Sequence, residues 1–397
     1  MRNIDLLNLI ERQNELFKKD LIKHESTIND LVEKSTFLVI GAAGSIGQAV
    51  TKEIFKRNPI LLHAVDINEN NMVELVRDIR SSMGYIKGEF KTYAIDCASR
   101  EFEILMSSNA YDYVLNLSAL KHVRSEKDPL TLMRMIDVNI LNTLKTLKLA
   151  KNIGVKKYFC VSSDKAANPA NMMGASKKLM ELFLSIEDSS VEISTARFAN
   201  VAFSDGSLPH GFIKRIEKKQ PISAPNDVKR YFITPQESGE LCLMSCLLGS
   251  NQDIFFPKMS KELNLTKFSD IAIRFLKSIG YDAYECSSEE EARQKVSLIT
   301  KKGMWPCYFF KSDTTGEKDF EEFYVDGEII DLDRYLNIGI VKNSNLEMKE
   351  HLETFLDDIY NLKNNKTWTK KEILKTFKNI LPDFSHEEKG KYLDEKM

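Results

Sequence analysis

No Cys-x-x-Cys pair, histidine cluster or long apolar run occurs in this 397-residue sequence. Its six cysteines (Cys97, Cys160, Cys242, Cys246, Cys286 and Cys307) are scattered. Cys242 and Cys246 lie one helical turn apart in an apolar run, which suits core packing better than metal ligation. That pattern argues against a zinc centre and a disulfide framework, so no metal is expected and a reducing, cytoplasmic setting is. Positive charge is not in excess either. Lys and Arg total 56 against 58 Asp and Glu, a net charge of −2, which speaks against a nucleic-acid partner. The first residues, "MRNIDLLNLIERQNELFKKDL", lack the apolar run of a signal peptide or membrane span. Their apolar positions recur at helical spacing, so one amphipathic helix is expected, packed on the main body or on a partner subunit.

What the chain does have is 43% apolar and 29% charged residues, the profile of a globular protein with a sizeable core. From Thr36 short apolar strands alternate with helical stretches. Strands are expected at 36–40, 60–66, 90–96, 111–119, 155–163 and 191–201, with long helices at 128–152 and 171–187. Alternation of this kind predicts βαβ units, hence an α/β, Rossmann-type doubly wound parallel sheet. Beyond about 203 the alternation is irregular, with helices near 236–248 and 264–279 and a mixed stretch at 303–341. The expected plan is an N-terminal helical extension (1–34), a nucleotide-binding domain (35–202), a smaller substrate-binding region partly interleaved with it (203–341), and a C-terminal helical extension (342–397). The two terminal extensions make a homo-oligomer plausible.

"GAAGSIG" follows the first strand and opens a helix, so Gly41, Gly44 and Gly47 form G-x-x-G-x-x-G in the context of a dinucleotide site. The glycines allow a tight turn, close approach of a pyrophosphate and close helix–strand packing, and the helix N-terminus faces the phosphates. Ser45 and Ile46 lie within this turn. Asp66 closes the second strand, where a carboxylate bonds both ribose hydroxyls of NAD and repels a 2′-phosphate, so NAD is favoured over NADP. Asp96, ending the third strand, either holds the adenine amino group or is a solvated turn acid.

"SSDKAANPANMMGASKK" (162–178) carries the candidate chemistry. Lys177 lies one helical turn after Met173 and can hold ribose hydroxyls while favouring proton loss from a nearby alcohol. Ser163 sits at the carboxyl end of the fifth strand, where ligands bind in open α/β sheets. Asp164 and Lys165 place an acid and a base side by side, as a 1,2-elimination requires. Each has a plainer alternative: a surface lysine, a strand-end serine, a solvated ion pair. Met173 cannot take a proton and could be an ordinary apolar residue.

These segments, with "NLSALKHV" (116–123), "ARFANV" (196–201), "KRYFIT" (229–234) and "GEKDFEE" (316–322), stand in one order. Over about 35–335 the chain resembles the UDP-N-acetylglucosamine 4,6-dehydratases, a polysaccharide-biosynthesis branch of the extended short-chain dehydrogenase/reductase superfamily. The resemblance implies that Asp164 is the acid at C6 and Lys165 the base at C5. It further implies that Ser163, Met173 and Lys177 replace the usual Ser-Tyr-Lys triad. Ala119 joins the cofactor set, and Lys121, Asn200 and Arg230 fall near a UDP-sugar. NAD would act as a bound catalyst, and the product would be a UDP-4-keto-6-deoxy-N-acetylhexosamine, inverted at C5. The C4 proton would leave through Asp164 or through a water held near Lys177. His122 is expected to serve loop packing. Two departures bear on the nucleoside contacts: Thr314-Thr315 replaces a common Arg-Pro, and extra residues lie around 280–305. The alternatives are a nucleotide-sugar 4-epimerase, which normally needs the tyrosine, and a non-catalytic NAD-binding regulatory protein.

Overall fold

The computed structural model describes residues 5–188, 190–259, 263–313, 318, 321–342, 348–386 and 390. Thr314 and Thr315, which stand in place of the expected Arg-Pro, and Gly316 after them lie outside the described residues. Strands β1 (Thr36–Ile40), β2 (Leu61–Asp66), β3 (Glu89–Ala94), β4 (Tyr113–Asn116), β5 (Lys157–Val161) and β6 (Glu192–Ala196) align in the order 3-2-1-4-5-6. All pair in parallel, with Val39 level with Ala64 on one side and Leu115 on the other. Their apolar runs are covered by helices on both faces, as a parallel sheet requires. Strand Asp253–Pro257 extends the parallel run beyond β6, and Ile338–Lys342 and Ile329–Asp331 add an antiparallel edge. The order reverses between β1 and β4, which opens a crevice at the carboxyl ends of those strands.

Four local expectations change. The sixth strand stops at Ala196, because Arg197 turns inward, and Asn200–Val201 pairs with Lys229–Ile233 in a separate small sheet. The third strand stops at Ala94, which leaves Asp96 in the turn beyond it. The helical stretch 128–152 is broken by a π turn at Asp137–Leu141. The N-terminal segment is two helices, Leu6–Leu9 and Lys18–Glu33, and not one. Its break has a clear cause. Glu237 pairs with the Arg12 guanidinium and accepts from the Leu16 N–H at 2.6 Å, pulling the intervening chain out of helical form.

Both terminal extensions pack on the chain itself. Leu16, Phe17, Ile28 and Val32 join the core beneath the sheet. Helices Lys349–Asn364 and Lys370–Ile380 lay Leu352, Phe355, Ile373 and Phe377 against Leu132, Ile136 and Phe183 of helices Pro129–Ile136 and Met172–Ser185. All six cysteines are unpaired and buried. No helix among the described residues is long and apolar enough to cross a membrane.

Arg197 is fully buried and uses all five of its N–H groups. Nε and Nη2 donate to Glu181, both Nη atoms donate to Glu328, and Nη1 also reaches the Phe323 carbonyl at 2.8 Å. The Ser162 hydroxyl donates to the same Glu181 carboxylate. Removing the cation takes two donors each from the Glu181 and Glu328 carboxylates, with Lys178 at 3.6 Å left to offset Glu328 in part, which costs far more than the net worth of the ion pair. Arg197→Met should lower unfolding free energy by about 3–5 kcal/mol in urea titration. A loss below about 1 kcal/mol would contradict that placement.

Candidate active site

The glycine turn joins β1 to helix Ser45–Phe55. Gly41 has φ +77°, and a Cβ there would meet the Ser118 nitrogen at 2.6 Å. At Gly47 a Cβ would fall 2.0 Å from the Gly41 carbonyl oxygen, so neither position accepts a side chain. The result is a bare backbone cradle before a helix N-terminus, which fits a pyrophosphate. Gly44 is the N-cap of that helix, Ile46 lies in its first turn, and the Ser45 hydroxyl accepts from the Asp205 N–H at 2.8 Å. Asp66 lies at the end of β2. Its Oδ2 accepts from Ala43 N–H at 2.9 Å and its Oδ1 from Asn68 N–H at 2.8 Å, which aims the carboxylate along the glycine turn. Asp96 accepts from Ala98 N–H and faces Arg134 at 3.9 Å, a turn acid in its own right.

The reaction residues gather at the carboxyl end of β5. Ser163 is the N-cap of a short 3-10 turn, Asp164–Ala166, and donates to Asp164 Oδ1 at 2.9 Å. Lys165 Nζ lies 3.1 Å from that same oxygen and 3.6 Å from Glu321 Oε1. The Asp164 side chain is 3% exposed, yet its Oδ2 has no partner. A buried acceptor left open in this way is a place for a ligand hydroxyl. Lys177 Nζ donates to the Val161 carbonyl at 2.9 Å and approaches Met180 Sδ, so it shares the β5 end with Asp164.

The two lysines differ in proton affinity. Burial lowers Lys177, only partly offset by the Cys160 thiol and Glu181. Burial also lowers Lys165, but Asp164 and Glu321 outweigh it against Arg230, and its pKa lies above the usual lysine value. At neutral pH Lys165 is therefore charged and must discharge before it can act as a base. Met173 is 4% exposed and belongs to the apolar cluster with Leu132, Leu179 and Phe355. It packs the helix that carries Lys177.

The expected sugar contacts are partly assembled. Lys121 Nζ donates to the Ser204 hydroxyl at 3.3 Å, and burial lowers its pKa, opposed by Asp205. Arg230 is buried, and its Nη1 donates to the Lys229 and Lys318 carbonyls, a placement beside Lys165 and not on the surface. The Asn200 amide reaches only the Tyr231 carbonyl, at 3.5 Å. His122 is held down in pKa by burial and by Lys121 and Arg124, and its ring packs against Gly206. No group of three His, Cys, Asp or Glu among the described residues could hold a metal ion.

Several organising residues carried no local signal. Asn139, exposed inward by the π turn, accepts from Leu120 N–H and donates to the Leu120 carbonyl and the Ser176 hydroxyl. It thereby ties the Ala119–Lys121 loop to the helix of Lys177. Glu126 accepts from the Met173 N–H at 3.1 Å and pairs with His386 at 2.8 Å. Glu321 lay in a recognised motif but with no assigned task.

Residues 37–302 match the model of a family described as polysaccharide biosynthesis protein. The chain belongs to that family. It is 27% identical to an uncharacterised membrane protein of Methanocaldococcus jannaschii over 89% of this chain and 98% of that protein. A UDP-glucose 4-epimerase of Rickettsia prowazekii is 28% identical over 80% of this chain and 95% of its own length. A UDP-N-acetylglucosamine 4,6-dehydratase (inverting) of Campylobacter jejuni is 24% identical over 87% and 97%. Two further bacterial polysaccharide-biosynthesis relatives are longer, and the chain spans 45% and 53% of them. The solved structure of Pen from Bacillus thuringiensis shares the fold, with a TM-score of 0.60 and 21% identity over 78% of this chain and 87% of that one.

Asn139→Ala would strip Leu120 and Ser176 of buried partners. The expected cost is about 1–3 kcal/mol, read as a lower urea midpoint. An unchanged midpoint would show that this junction is not needed.

Proposed function

We propose that this chain is a nucleotide-sugar 4,6-dehydratase that converts UDP-N-acetylglucosamine to a UDP-4-keto-6-deoxy-N-acetylhexosamine inverted at C5. The observation that carries this reading is the Asp164–Lys165 pair. An acid and a base stand 3.1 Å apart at the sheet's carboxyl edge, with Asp164 Oδ2 buried and open. The glycine cradle and Asp66 fit NAD, and the six free thiols suit a reducing cytoplasm. When bound, the nicotinamide would take hydride from C4 and return it to C6, so it is not consumed.

The chain's own residues handle the protons. Asp164 Oδ2 accepts the C4 hydroxyl proton as C4 becomes a ketone, and Lys177 in its ammonium form favours that loss. The ketone acidifies C5. Discharged Lys165 takes the C5 proton, the C5–H electron pair forms the C5=C6 bond, and the C6–O bond breaks. Asp164 returns its proton to the departing hydroxide, which leaves as water. Once hydride is on C6, C5 gains a proton from solvent on the opposite face, and Lys165 keeps the proton it took, the charged form in which it rested before discharging to solvent. Every group then stands as it began. Arg230 and Lys121 would meet the pyrophosphate and sugar.

The Campylobacter relative supports this reading. The Rickettsia relative favours a second, a 4-epimerase, which would use the same cradle and Lys177. An epimerase has no use for the adjacent acid and base, and Met173 cannot supply the hydroxyl it needs. Incubation with UDP-N-acetylglucosamine and mass spectrometry separates the two. The expected product is lighter by one water, and Lys165→Ala should abolish it while NAD binding persists. An isobaric product would establish the epimerase instead.

A further inference from the structure

Lys165 is flanked by two carboxylates, and the proposed reaction uses only one of them. Asp164 Oδ1 lies 3.1 Å from Nζ and Glu321 Oε1 lies 3.6 Å away, from a segment more than 150 positions later in the chain. Glu321 is 4% exposed and is delivered on a pinned stretch. Arg230 donates to the Lys318 carbonyl, Asn168 Nδ2 donates to Glu322 Oε2 at 3.2 Å, and Lys318 reaches back to the Asn168 carbonyl. Phe323 is held by Arg197 at 2.8 Å. The clasp therefore closes on Asn168, three residues past Lys165, and a buried carboxylate beside an amine is its product.

We propose that Glu321 is a positioning residue of the reaction site, a fixed negative charge that holds Lys165 and sets how tightly it binds its proton. This rests on the dehydratase reading for its purpose, though not for its geometry. Asp164 changes charge during the reaction, because it takes the C4 proton and then gives it up. Glu321 makes no such transfer, so it can keep a constant counter-charge on the lysine throughout. A base with raised proton affinity is stronger once discharged, at the expense of a smaller discharged fraction at neutral pH.

The charged groups that face Lys165 are Asp164 on its own turn, Glu321 from the late segment and Arg230 from the small sheet. The first two favour the ammonium and Arg230 opposes it, after burial has disfavoured it. Neutralising Glu321 should then lower the Lys165 pKa. The ascending limb of dehydration rate against pH should move to lower pH, with NAD affinity unchanged.

The test measures Lys165 directly. The full chain, without cofactor or sugar, is labelled with acetic anhydride across a pH series, and the Lys165 peptide is quantified by mass spectrometry. In the wild type the labelling midpoint should lie above that of a free lysine side chain. Glu321→Gln should move it to lower pH and label at least threefold faster near pH 9, whereas Glu321→Asp, which keeps the charge, should restore most of the midpoint. A wild-type midpoint below the free-lysine value would overturn the proposal, even if the glutamine variant failed to fold. So would an unmoved midpoint in a folded Glu321→Gln. Labelling as expected without any dehydrated product would overturn the reaction reading alone. Dehydration with an unmoved Lys165 midpoint would overturn the role of Glu321 alone.

Discussion

The buried guanidinium of Arg197 is the contact on which the site's assembly depends. Its five donors join Glu181 on the helix of Lys177, Glu328 on the late segment, and the Phe323 backbone. Ser162, just before the 3-10 turn of Asp164 and Lys165, is tied to the same Glu181. Three stretches that are far apart in sequence thus meet at one cation, each carrying part of the site: Ser163 to Lys165, Lys177, and Glu321. In a low-dielectric interior such a network is costly to break at any one member. That rigidity is what allows an adjacent acid and base to be held with one carboxylate oxygen open.

Around this anchor the same side-chain type is used in two ways. Lys177 and Lys165 both lie near the β5 end, and burial disfavours the charge on each. At Lys177 burial prevails, only partly offset by Cys160 and Glu181, so its pKa falls. Lys165 has two carboxylates, so its pKa rises. Neighbours, more than depth, decide the proton affinity of each amine. In the proposed reaction the two amines have different tasks, Lys177 beside the alcohol and Lys165 beside the C–H bond.

Much of this was legible from local pattern. The strand–glycine turn–helix unit, the alternation of strands and helices and the Ser163–Asp164–Lys165 run all depend on neighbours in sequence, where periodicity and spacing carry the information. What escaped was set by partners far away. The N-terminal helix looked continuous because nothing nearby reveals that Glu237 captures Arg12 and Leu16. The stretch 128–152 keeps helical periodicity, so the π turn that presents Asn139 is invisible until the Ala119–Lys121 loop packs against it. "ARFANV" and "GEKDFEE" were noticed as motifs, but the tasks of Arg197 and Glu321 lie in contacts with residues 16 to 156 positions away. Met173 was legible only as a choice between two readings, and tertiary packing places it in the apolar cluster.

The central claim is that hydride leaves C4 and ends on C6 while water is lost between C5 and C6. Substrate deuterated at C4, UDP-N-acetylglucosamine with the label on that carbon, follows this directly by NMR of the product. The account predicts a product lighter by one water with the deuterium on C6. Deuterium returned to C4 in a product of unchanged mass would contradict it.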